Sequence, residues 1–134
     1  MAHAIAWFEI PAVDYDRAVK FYGEVLGRPL IPMADPSGNE TGPDGARMAV
    51  FSDPSEIGAI NGAVVFTKDQ SQKPTRDGTV VYLYVDGDLN TALNRVEPAG
   101  GKVITPKTLI AEGMGYFAHF EDTEGNRVGL FSMQ

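Results

Sequence analysis

The 134-residue sequence predicts an α+β fold, with two tandem βαβββ repeats forming curved mixed/antiparallel sheets around a concave pocket. Three observations predict it: landmarks recur in order along two halves, each half opens with an alternating strand followed by an amphipathic helix pattern, and three further β-prone runs follow each helix. Val13-Asp14 leads to Ala18-Val19 as Val85-Asp86 leads to Ala92-Leu93, Gly27 answers Gly100-Gly101, and Arg28-Pro29-Leu30-Ile31-Pro32 answers Lys102-Val103-Ile104-Thr105-Pro106. The spacing is 72 residues from Val13 to Val85 and 74 from Pro32 to Pro106, so two inserted residues at the second helix start reconcile the registers.

The first strand runs from Ile5 to Ile10, and Pro11 ends it. Asp14 or Asp16 can cap a helix that puts Ala18, Val19, Tyr22, Val25 and Leu26 on one face, and Gly27 stops it as a C′ glycine does. Strands over 28–33, 47–51 and 61–67 complete the first repeat, 1–67. Residues 68–77 form a polar linker. The second repeat, 78–134, has a strand over 80–85, Asp88 as N-cap, Leu89, Ala92, Leu93 and Val96 as the buried stripe, and strands over 102–110, 116–121 and 127–132. Asp122-Thr123-Glu124-Gly125-Asn126 is the clearest hairpin turn, Gly113-Met114-Gly115 predicts a bulge before the seventh strand, and the polar run 34–45 is a loop.

A single domain of this length can bury a proper core. There is no Cys, so thiol nucleophiles and thiolate metal sites are excluded, and a reducing cytoplasm suits the chain. The net charge of −7 opposes nucleic-acid binding. No apolar run reaches the roughly 20 residues of a membrane span, and the opening Met1-Ala2-His3-Ala4 carries no basic leader.

Strand parity sorts the side chains. Ala6, Phe8 and Ile10 share one face of the first strand and Ile5, Trp7 and Glu9 the other, while Val81, Leu83 and Val85 oppose Val80, Tyr82 and Tyr84. The wholly apolar faces are those the helices cover. A turn centred on Glu124 pairs Glu121 with Arg127, His119 with Gly129 and Phe117 with Phe131. In that register His119 faces the same concavity as Trp7, Glu9 and Tyr82, the one constellation with chemical potential.

The two βαβββ copies, with Phe21-Tyr22 and Leu26-Gly27 closing the first helix, Gly100-Gly101-Lys102-Val103 after the second, and Gly115-Tyr116-Phe117-Ala118 leading to Glu121-Asp122-Thr123-Glu124-Gly125-Asn126, resemble the vicinal oxygen chelate superfamily. That superfamily contains glyoxalase I, bleomycin-resistance proteins and extradiol dioxygenases, and Trp7-Phe8-Glu9-Ile10-Pro11 is most similar to its small glyoxalase-like branch. The resemblance implies U-shaped sheets with a pocket inside, and metal ligands from four strands. Carried over, those positions are Trp7, Ala49 or Val50, Val80 and Gly129, none of which can ligate a divalent ion. No metal or other cofactor is therefore expected, and metal-dependent chemistry is not inherited from the resemblance.

Three functions stay open. The first is a metal-independent module binding a small organic molecule in a pocket lined by Trp7, Tyr82, Tyr84, Phe117, Glu121 and Phe131. The second is a lyase or isomerase related to lactoylglutathione lyase, using Glu9 and His119 as acid and base, or a relocated divalent metal on Glu9, His119 and Glu121. The third is a dimeric interaction module with no ligand. Against a catalytic pair stands the plainer expectation that His119 bonds a backbone carbonyl while Glu9 pairs with Arg47 or Arg127. A homodimer is expected, because a shallow sheet must cover its aromatic face.

Overall fold

The computed structural model describes residues 3–134; Met1 and Ala2 of the opening read above lie outside them. The elements run β1 (Trp7–Pro11), α1 (Tyr15–Leu26), β2 (Ile31–Pro32), β3 (Arg47–Val50), β4 (Asn61–Phe66), β5 (Tyr82–Tyr84), α2 (Asn90–Val96), β6 (Lys102–Ala111), β7 (Gly115–Glu121) and β8 (Arg127–Ser132). They build two four-stranded sheets, ordered β1-β4-β3-β2 and β5-β8-β7-β6. In each, the strand before the helix pairs in parallel with the last strand of its half, and the remaining pairs are antiparallel.

Local chemistry explains the elements. Asp14 caps α1, its carboxylate accepting from the Arg17 N–H at 3.0 Å, and Gly27 closes the helix in the left-handed region at φ 73°. The helix buries Ala18, Phe21, Tyr22 and Val25 against a core that also takes Ile10, Val64, Leu93, Phe120 and Leu130. Full burial of each such large side chain contributes roughly 1.5–3 kcal/mol. Within residues 28–33 the strand is confined to Ile31–Pro32, with the Met33 N–H still donating to the Met48 carbonyl at 2.9 Å, and Pro29 has no N–H to extend the ladder toward the helix. The α2 helix proper starts at Asn90 with Leu89 already in helical geometry, and Asp88 caps this first turn, its Oδ1 accepting from the Asn90 N–H at 2.9 Å and its carbonyl from the Thr91 N–H at 3.0 Å. Gly113-Met114-Gly115 makes the β6–β7 hairpin turn, while the irregular pairing lies within β6 itself. The two halves align through Ala12 and Val85, whose N–H groups donate to Val65 and Phe131 carbonyls at 2.8 Å. That spacing, 73 residues, falls between the two read from the sequence.

The hairpin turn after β7 also clamps one half to the other. Glu124 Oε1 accepts from the Val13 and Asp14 N–H groups, and Oε2 from Arg17 Nε at 2.7 Å, so a carboxylate with no exposed side-chain surface sits at the N-terminus of α1. Burial pushes the Glu124 carboxyl up, but the Arg17, Asp14 and Thr123 hydrogen bonds outweigh it and hold the pKa below the usual value. Beneath it, the Tyr22 hydroxyl donates to Asp122 Oδ2 at 2.6 Å, and Asn126 donates to Asp122 and to the Pro11 carbonyl. Burial raises the pKa of both Tyr22 and Asp122. Loop 34–45 walls a cavity of about 390 Å³ beside Arg47, which pairs with Asp16 and Glu40 and lies 4.0 Å over the Tyr15 ring.

Candidate functional site

Pairing in the second sheet places one row of side chains on its helix-free face: Tyr82 opposite Gly129, and Gly129 opposite His119. The next row is Tyr84, Phe131 and Phe117. The register expected for the last hairpin is the one observed, from Glu121 with Arg127 to Phe117 with Phe131. Ring centroids lie 5.4 Å apart for Tyr82 and His119, 5.3 Å for Phe117 and His119, and 5.9 Å for Tyr84 and Phe131. Tyr82 and Tyr84 keep 48% and 61% of their surface, so this aromatic array faces outward.

Gly129 is what allows the first row to close. A Cβ there would lie 2.4 Å from the Tyr82 ring, which lies across the bare backbone and brings its hydroxyl to 2.6 Å from His119 Nε2. On the other side of the imidazole, Arg127 Nη2 is 3.0 Å from Nδ1. Burial, and then the Arg127 guanidinium, pull the His119 pKa below the usual histidine value. A neutral imidazole with Nδ1 accepting is what such a neighbour requires.

The equivalent row of the first sheet is Glu9, Ala63 and Val50. Glu9 accepts from Trp7 Nε1 at 3.2 Å and from Gln72 Nε2 at 2.7 Å. Neither expected arginine partner reaches it: Arg47 is held by Asp16 and Glu40, and Arg127 by His119. His119 likewise bonds two side chains rather than a backbone carbonyl, because strand carbonyls are spent in the ladder. No hydrogen bond joins Glu9 to His119 among the described residues, and the two stand on different sheets. Glu121 is engaged with Arg76 at 3.1 Å.

The metal positions implied by the resemblance do not fit an ion. Gly129 lies under Tyr82, Val50 is buried, and Trp7 offers only an indole. Among the described residues no three His, Asp or Glu side chains are grouped to hold a metal ion, the trio Glu9, His119 and Glu121 included. Sequence reasoning offered Arg127 to Glu9 rather than to His119 and did not single out Gln72; the pairing of Arg127 with Glu121 across the hairpin hid its reach to His119.

Between the open edges of β1 and β5 lies a cleft of about 610 Å³, lined by Trp7, Phe8, Leu26, Arg28, Phe51 and Tyr82 among others. Tyr82 thus borders both the cleft and the aromatic face. A cavity of this size, mostly apolar with a few polar groups, suits a small organic molecule. No helix among the described residues is long and apolar enough to cross a membrane.

The profile of the Glyoxalase/Bleomycin resistance protein/Dioxygenase superfamily matches residues 4–130. A glyoxylase-like domain-containing protein from Didymella fabae is 32% identical over 122 residues, covering 91% of this chain and 88% of its own. The glyoxylase/bleomycin resistance protein/dioxygenase domain from Frankia sp. EAN1pec superposes with a TM-score of 0.69 at 16% identity, over 100% of both chains. TnmS3, an antibiotic binding protein from Streptomyces sp. CB03234, gives a TM-score of 0.59 at 24% identity, over 100% of this chain and 99% of its own.

Proposed function

The chain belongs to the Glyoxalase/Bleomycin resistance protein/Dioxygenase superfamily, and from that premise we propose that it binds a small organic molecule against the aromatic face of its second sheet without using the family's metal. The observation that carries this is the outward-facing row of Tyr82, His119, Phe117, Tyr84 and Phe131. Offset aromatic rings at these separations offer a stacking platform to a flat ligand. Trp7 and the cleft between β1 and β5 extend it. An antibiotic binding protein of the same fold supports a role in binding as one use of this architecture.

Acid–base catalysis by Glu9 and His119 is the weaker reading. Each is committed to other partners, and His119 has both ring nitrogens engaged. We read residues 1–67 and 78–134 as the repeats of one cytoplasmic domain, and a homodimer as its working form, since apolar groups outside the second sheet, Trp7, Ile31 and Met33, remain exposed in the single chain. The test is isothermal titration with flat aromatic compounds, on wild type and on Phe117→Ala and Tyr84→Ala. Stacking predicts roughly fivefold or greater loss of affinity per ring, from about 1 kcal/mol each. Equal affinities would overturn the site, and a dimer interface covering the aromatic face of both subunits would overturn ligand binding there.

A further inference from the structure

We infer that Tyr82 is a dedicated hydrogen-bond donor to the ligand, so that the site selects flat molecules carrying a carbonyl or similar acceptor oxygen, with His119 and Arg127 as its positioning residues. This rests on the aromatic face being the binding site. The polarity follows from one fixed point. A guanidinium can only donate, so Arg127 Nη2, 3.0 Å from His119 Nδ1, requires a lone pair on that nitrogen. The single ring proton of the neutral imidazole is then on Nε2. It faces the Tyr82 oxygen at 2.6 Å, so the imidazole donates and the hydroxyl accepts.

Tyr82 is left with a hydroxyl hydrogen that His119 cannot take. The opposite polarity, Tyr82 donating to Nε2, would put an Nδ1–H against the guanidinium donor, and a doubly protonated ring would add a second positive charge beside Arg127. The chain Arg127 to His119 to Tyr82 therefore runs one way, and each donor polarises the next, strengthening the last. Its end is on the exposed aromatic face and at the margin of the apolar cleft. In the free protein this exposed hydroxyl gives its hydrogen to water, so a ligand that covers it must bring an acceptor or leave a desolvated donor unpaired. The first sheet lacks this device, since Ala63 and Val50 stand where Gly129 and His119 stand in the second.

The experiment compares two uncharged probes of similar flat shape, 9-fluorenone, which carries one carbonyl acceptor, and fluorene, which carries none, by titration calorimetry in dilute dimethyl sulfoxide. The fluorenone should bind about two- to tenfold more tightly, the range of one net hydrogen bond. Tyr82→Phe should erase the difference while leaving the fluorene within about twofold, and Arg127→Met should reduce it. Long-range proton–nitrogen NMR of wild type should show His119 protonated on Nε2, a readout that needs neither ligand nor variant. A proton on Nδ1, or equal binding of both probes, would overturn the donor assignment alone. Failure of both probes to bind would overturn the aromatic site beneath it.

Discussion

Gly129→Ala tests the device that joins Tyr82 to His119. The new methyl would stand 2.4, 2.6 and 2.9 Å from three carbons of the Tyr82 ring, where ordinary contact begins at 3.4 Å. The ring must retreat by about 1 Å, which stretches a hydroxyl contact now at 2.6 Å to roughly 3.6 Å, outside hydrogen-bonding range. The lost bond removes about 1 kcal/mol, overpacking adds about 1–2, and the lower backbone entropy of alanine in the unfolded chain returns about 0.5–1. The net is destabilisation of about 1–2.5 kcal/mol, or a fall in Tm of roughly 3–9 °C at this chain length. Differential scanning calorimetry reads the stability, and NMR of the His119 ring nitrogens reads the bond. The Nε2 resonance should move toward that of a solvated imidazole while Nδ1 stays put. Unchanged ring resonances with an unchanged Tm would refute the claim that bare backbone at 129 holds Tyr82 in place.

Removing the carboxylate in Glu124→Ala strips acceptors from Val13, Asp14 and Arg17 at once, and should destabilise by about 3 kcal/mol, near 10 °C in Tm; Glu124→Gln, which keeps an acceptor, should lose about half as much. Tyr22→Phe takes the donor from buried Asp122 and should cost about 1–3 kcal/mol by urea denaturation. For pH, the folded His119 pKa is depressed below 6.5, so the unfolded chain binds the proton more readily. Its stabilising contribution is present above 6.5 and is lost as pH falls through the folded value. His119→Gln should flatten that part of the stability profile, and an unchanged profile would contradict the depressed pKa.

Most of the fold was legible because periodicity, caps and turn chemistry agree: Asp14, Gly27 and the 122–126 turn are local signals that tertiary structure leaves in place. Asp88 is as local a signal, its carboxylate bonding the Asn90 N–H, whereas the strand over 28–33 shrank because Pro29 cannot donate to a ladder. The aromatic face was readable from parity once the hairpin register was set. The partnerships were not. Glu9 bonds Gln72, 63 residues away, and Glu124 bonds Arg17, 107 away, and neither separation has a sequence signature. The halves also diverge in chemistry at matched positions, Glu9 against Tyr82 and Val50 against His119, so a repeat found in sequence predicted shape in both halves and a donor chain in neither.

The most direct test of the central claim is to map 9-fluorenone onto the protein by amide and aromatic NMR. Ligand binding on the second sheet predicts saturable shifts, with ligand contacts, at Tyr82, Tyr84, Phe117, His119 and Phe131 and none on the outer surface of α1. Saturable shifts confined elsewhere, or none at all, would contradict it.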